Sequence, residues 1–140
     1  MALLAARVGL GIIFLMSGLG KIAGWSGTVA YAGSKGVPEV LLAGAVALEV
    51  LGGASVLLGW KTRWGVAALL VFLAPVTVLF HGFWGAQGAE VQAQMIQFLK
   101  NVSIAGGLVA LGAAGAGAIS VDARTARART NAPAATRAAA

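Results

Sequence analysis

Seven side chains in this sequence could do chemistry in surroundings that resist charge: Arg7, Lys21, Glu49, Arg63, His81, Lys100 and Asn101. Glu49 is the focus. It lies inside the run LLAGAVALEVLGGASVLLG, residues 41–59, which is apolar on every face. Roughly 20 such residues cross the hydrocarbon core of a bilayer. A carboxylate at the centre of a membrane helix costs about 2.5–3.5 kcal/mol on insertion scales, so it must neutralise, find a partner or serve a function.

Depth along a helix, at about 1.5 Å per residue, says which groups could answer it. Glu49 is about 15 Å from either end of its span, near the midplane. Arg7 is about 8 Å inside the inner end of the first span, and Lys100 with Asn101 about 10 Å inside the outer end of the last. The expected ion pair is Glu49 with Lys100, and Arg7 is the alternative partner. The Gly/Ala-rich last span, with Gly106-Gly107, is expected to approach Gly52-Gly53 closely and so favour Lys100. Lys21 reads as an interfacial anchor and Arg63 as a turn cation, each also a candidate charge partner. His81 reads either as a capping residue or as a proton-relay or quinone hydrogen-bonding group. Glu49, Lys100, Asn101 and His81 together make a candidate polar pocket, and for each a purely structural role in locking helices stands beside the functional one.

Several chemistries are excluded. The sequence has no cysteine, so thiolate metal sites, iron–sulfur ligation and thiol relays do not arise within it. A single histidine cannot ligate a haem from both sides, and no metal-ligand spacing surrounds it. No metal site is expected. The glycine pairs lie inside apolar spans and lack any phosphate-loop pattern. No nucleophile–base pair or two-carboxylate arrangement is visible. The net charge of +6 belongs largely to the last seventeen residues, so it does not argue for nucleic-acid binding.

The elements that must hold these groups are membrane helices. Of 140 residues, 59% are hydrophobic and 10% charged, against about 25% charged in a soluble domain. The sequence predicts an all-α, four-transmembrane-helix bundle with antiparallel neighbours over residues 1–120, and a disordered basic tail over 121–140. The first span covers 2–23; a cleavable leader ending near Ala30-Tyr31-Ala32 is the competing reading, disfavoured by the length of the apolar run. Residues 24–37, rich in Gly and Ser, read as a loop. The second span runs from Pro38 to Leu58, and the third, with Pro75 inside it, covers 64–82. Residues 85–94 read as a loop, and the last span has its uncharged core at 102–119. Trp25, Trp60, Trp64 and Trp84 all fall at expected interfaces. Seven basic residues on the side of both termini against three on the other place both termini in the cytoplasm of a plasma (inner) membrane.

These residues together resemble the DoxX family of small four-helix membrane proteins. The matching pieces are Arg7, Gly11, Phe14, Ser17-Gly18 and Lys21 in the first span, and Glu49 with Gly52-Gly53 and Leu57-Leu58-Gly59 in the second. Thr62-Arg63, His81 with Phe83-Trp84, Phe98-Leu99-Lys100-Asn101 and Gly106-Gly107 complete them. The resemblance spans about residues 4–115. It implies association with membrane redox systems, as in a subunit of a thiosulfate:quinone oxidoreductase and a complex linked to oxidative-stress defence, but no established catalytic role for any residue. The leading expectation is a membrane subunit of a redox system, without an intrinsic cofactor and at most part of an oxidoreductase, that offers a quinone-like ligand the polar pocket. Its expected partners are the lipid bilayer, an oxidoreductase protein and a second copy of the chain, not nucleic acid. A small proton-coupled transporter or channel, and a structural scaffold, are the alternatives.

Overall fold

The computed structural model describes residues 1–131. It is all-helical over them, with α1 Ala2–Ala23, α2 Trp25–Ser34, α3 Glu39–Leu58, α4 Thr62–Phe80, α5 Ala89–Ala114 and α6 Val121–Asn131. Four of these, α1, α3, α4 and α5, are long and apolar enough to cross a membrane.

The four spans form a ring in the order α1, α3, α4, α5, each antiparallel to its neighbours. In lipid, apolar burial gives helices little reason to associate, and packing of small residues takes over. Glycines set two of the contacts. A Cβ on Gly53 of α3 would lie 2.9 Å from the Leu15 nitrogen and 3.1 Å from the Gly11 oxygen of α1. A Cβ on Gly52 would lie 2.8 Å from Leu69 Cγ and 3.2 Å from the Gly65 oxygen of α4. The glycine pair of α3 therefore serves α1 and α4, not the last span as expected. α5 stands diagonally across from α3: Gly107 faces Leu10 of α1, and a Cβ on Gly106 would meet nothing. Between the spans, Phe14, Val56, Leu69, Phe72, Leu108 and Leu111 form the apolar centre, with Phe14 and Phe72 edge to face at 6.1 Å.

The segment 24–37 is mostly helix α2, where a loop was expected. Gly/Ser content hid its buried face: Trp25, Val29 and Ala32, at helical spacing, pack with Leu42 and Val46 of α3. α2 also explains an error of depth. Gly18 of α1 lies against Val50 and Glu49 of α3. From there α1 rises only about 7.5 Å to Ala23, while α3 continues about 16 Å to Glu39. α1 thus ends well inside the bundle, and α2 fills the space above it.

α5 starts at Ala89, inside the expected third loop, and stops at Ala114, because Gly115 and Gly117 take positive φ values of 80° and 79°. α6 then forms over the first part of the expected disordered tail. Ser120 starts it, its Oγ accepting from the Ala123 N–H at 3.1 Å. Residues 132–140 of that tail lie outside the described residues.

Candidate functional site

Glu49 is paired with Lys21. The Lys21 ammonium donates to both carboxylate oxygens, at 2.8 and 2.7 Å, and to Ser17 Oγ at 2.7 Å. Those three bonds use its three N–H groups. Its nitrogen also stands 5.7 Å from the centre of the Phe72 ring, on the electron-rich face that attracts cations. Glu49 is 2% exposed and Lys21 31%. The local cause is Gly18, one turn before Lys21, whose missing side chain brings α1 against Glu49: a Cβ there would lie 2.5 Å from Val50 Cγ2.

This corrects the expected pairing on both counts. Lys100 is on the exposed side of α5 and donates to Gln97 Oε1 one turn away. Arg7, the alternative partner, is 1% exposed and holds the far end of α3 instead. It donates to the Leu57 carbonyl at 3.3 Å and to the Ile119 carbonyl, which places its charge at the negative end of the α3 dipole. Gly59 makes room: its φ of 68° suits glycine, and a Cβ there would collide with Arg7 Nη1. Lys21 is thus no interfacial anchor, because α1 ends too deep for that. Arg63 is exposed on the first turn of α4, with no ion pair among the described residues.

Although Glu49 and Lys100 do not touch, one cavity of about 940 Å³ is lined by Glu49, Lys21, His81, Lys100 and Asn101, and it reaches all four spans. Its walls are otherwise mainly apolar. Asn101 is 6% exposed, and its side-chain amide has no hydrogen-bond partner among the described residues. Its place on the cavity wall leaves the amide open to a ligand or water, whereas the buried side-chain atom left without a partner among the described residues is Arg7 Nε. His81 caps the end of α4, and its Nδ1 lies 3.1 Å from Gln94 Oε1. That oxygen only accepts, so with the amide assigned this way Nδ1 carries the proton and Nε2 of the neutral ring is an acceptor. Lys21 and Glu49 cancel, and Lys100 leaves the lining one positive charge. Among the described residues no three His, Cys, Asp or Glu side chains converge as a metal site.

A second polar cluster lies at the other end of the bundle. Asp122 of α6 accepts from the Lys61 N–H at 2.7 Å, the Thr62 N–H at 3.0 Å and the Thr62 hydroxyl at 2.9 Å. It caps the start of α4 from a distant part of the chain, while its own N–H donates to the Gly59 carbonyl at 2.8 Å. Burial pushes the Asp122 carboxyl up. The bonds from Thr62 and Lys61, with the charge of Arg7, outweigh that and hold it below its ordinary value of 3.8. Sequence reasoning missed Asp122; the only legible signal was an acid placed two residues after the helix-starting Ser120.

The DoxX family model matches residues 2–82. Two Escherichia coli (strain K12) proteins are similar over most of their length. Inner membrane protein YphA is 42% identical over 125 residues, 87% of this chain and 89% of that protein. Inner membrane protein YqjF is 36% identical over 119 residues, 85% and 88%. A Bacillus subtilis (strain 168) protein named "Putative oxidoreductase CatD" is 42% identical over 60 residues, 43% of this chain and 45% of that protein. No solved structure matches the chain. Four apolar spans around a shared, mainly apolar cavity that holds a few polar groups define a multi-pass membrane protein. The chain belongs to the DoxX family.

Proposed function

We propose that the chain is the membrane subunit of a quinone-linked redox system in the plasma membrane, with both ends cytoplasmic, and that its cavity holds the quinone-like ligand. The observation that carries this reading is the unpartnered Asn101 amide on the wall of a largely apolar cavity shared with Glu49, Lys100 and His81. The oxidoreductase name of the partial relative CatD supports it from outside. Ligand pockets of about 300–1,000 Å³ with apolar walls and few polar groups suit drug-sized molecules, and this cavity is within that range.

A bound quinone takes up two electrons and two protons to become the quinol. The electrons come from a partner oxidoreductase, since no electron-carrier ligand set occurs in this sequence. The chain's own residues bind and orient. The Lys100 ammonium and the Asn101 amide N–H groups would donate hydrogen bonds to the ring oxygens, and His81 Nε2 would accept a hydrogen bond from a ring hydroxyl of the quinol form. Glu49, paired with Lys21, keeps the centre of the cavity polar.

Gentle purification followed by mass spectrometry of co-purifying lipids and proteins tests the reading. A quinone together with an oxidoreductase is the expected result. Ion or solute flux through proteoliposomes of the pure chain, with neither found, would favour a transporter instead.

A further inference from the structure

α3 and α4 approach backbone to backbone at Gly52 and Gly65. Beyond that contact, in the direction of the α3 start and the α4 end, the cavity lies between them. Its lining there includes Val40, Leu41 and Gly44 of α3 and Val71, Pro75 and Leu79 of α4, all exposed on the outside of the bundle and all apolar. Of the polar groups in the same lining, Glu49 and Asn101 are buried and Lys21 and His81 half-buried, while Ser17, Tyr31 and Lys100 are exposed. The opening between α3 and α4 is thus apolar and faces lipid chains, and it leads inward to the enclosed polar groups Glu49, Lys21 and Asn101. Pro75 has no N–H to give the Val71 carbonyl, so α4 has one backbone bond fewer beside this opening.

We propose that this opening between α3 and α4 is a lateral portal, through which an amphipathic ligand enters from the bilayer. The ligand's acceptor-bearing head lies against Asn101 and Lys100, and its hydrocarbon tail stays in the portal. This rests on the ligand-binding reading above and adds the class and route of the ligand: a lipid-soluble molecule with a long tail, supplied by the membrane and not by the aqueous phase. The tail keeps the ligand in the bilayer, where the portal opens, and packs against the portal's apolar walls. Gly44 is the position at which the portal can be closed without disturbing the bundle, because a Cβ there meets nothing within 4 Å.

The test compares decylubiquinone with its tailless headgroup quinone, and with a single-chain lysophospholipid, by retention in native mass spectrometry from one detergent. The wild-type chain should retain decylubiquinone at least tenfold better than the tailless quinone. Gly44→Trp should lower that retention at least tenfold. Gly106→Trp, the same bulk at a glycine that does not line the cavity, should not. A second readout needs no bulky side chain. The chain has no cysteine, so Gly44→Cys carries one thiol. Decylubiquinone should protect that thiol from a lipid-soluble maleimide, and should leave the thiol of Gly106→Cys unprotected. Equal retention of tailed and tailless quinone, unaffected by Gly44→Trp and without protection of Gly44→Cys, would overturn the portal and leave the quinone reading standing. Retention and protection by the lysophospholipid but by neither quinone would overturn the quinone reading and leave the portal. Failure of all three ligands to protect Gly44→Cys would overturn the portal outright.

Discussion

The Lys21 ammonium is chelated by both oxygens of Glu49, across the α1–α3 contact that Gly18 brings together. Breaking a buried pair from one side costs about 3–5 kcal/mol, because the remaining charge is stranded. Lys21→Met and Glu49→Gln should each lower stability by about that much. The double variant should recover most of the loss, since neither charge remains. Lys100→Met should change stability by less than about 0.5 kcal/mol, as for an exposed residue. Thermal unfolding of the five proteins in one detergent separates these cases. Additive losses for Lys21 and Glu49, or a large loss at Lys100, would contradict the pairing.

The two kinds of glycine should respond to alanine with opposite signs. Gly53→Ala sets a methyl 2.9 Å from the Leu15 backbone nitrogen, so α1 and α3 must separate, at a cost of about 1–3 kcal/mol. At Gly106, helical and with nothing near its Cβ, alanine should stabilise by about 0.4–1 kcal/mol. Melting temperatures decide both.

Asp122 should act as a latch for α6. Asp122→Ala removes the cap on α4 and should cost about 0.5–2 kcal/mol. The sign of its pH dependence follows from the lowered carboxyl. Folded below its ordinary value of 3.8, the group stabilises the structure above that value, and the contribution is lost as pH falls through the lower folded value. α6 should therefore stay docked from pH 8 to about 4 and loosen only under stronger acid. A spin label on Ala126→Cys, in a chain with no other thiol, reports this as a rise in mobility. Label mobility that already rises between pH 7 and 5 would contradict the latch.

Much of this architecture was legible because each span is a long apolar run flanked by Trp, Gly or Pro. The residues that share the cavity, Glu49, His81, Lys100 and Asn101, were legible as polar groups spread from the midplane toward the outer end of the apolar spans. Their partners were not. The choice of Lys21 over Lys100 turns on ring order and on where α1 ends. Both depend on α2, whose buried face of Trp25, Val29 and Ala32 is diluted among Gly and Ser. Hydropathy also assigns depth from span ends, and it failed for Lys21 because α1 stops inside the bundle. Arg7 was read as a snorkelling anchor or as the alternative partner of Glu49, yet it binds the carbonyls at the end of α3. Such carbonyls leave no mark in a sequence.

The central claim is that the cavity around Asn101 is a quinone site, and the most direct measurement is the quinone content per chain of protein purified from membranes. Asn101→Leu with Lys100→Met removes the two donors to the ligand head and leaves the Lys21–Glu49 pair in place, so the variant should remain as stable as the wild type. The wild-type chain should carry close to one quinone per cavity, and the variant at least tenfold less at equal melting temperature. The same quinone content in both proteins, or none in either, would contradict the account.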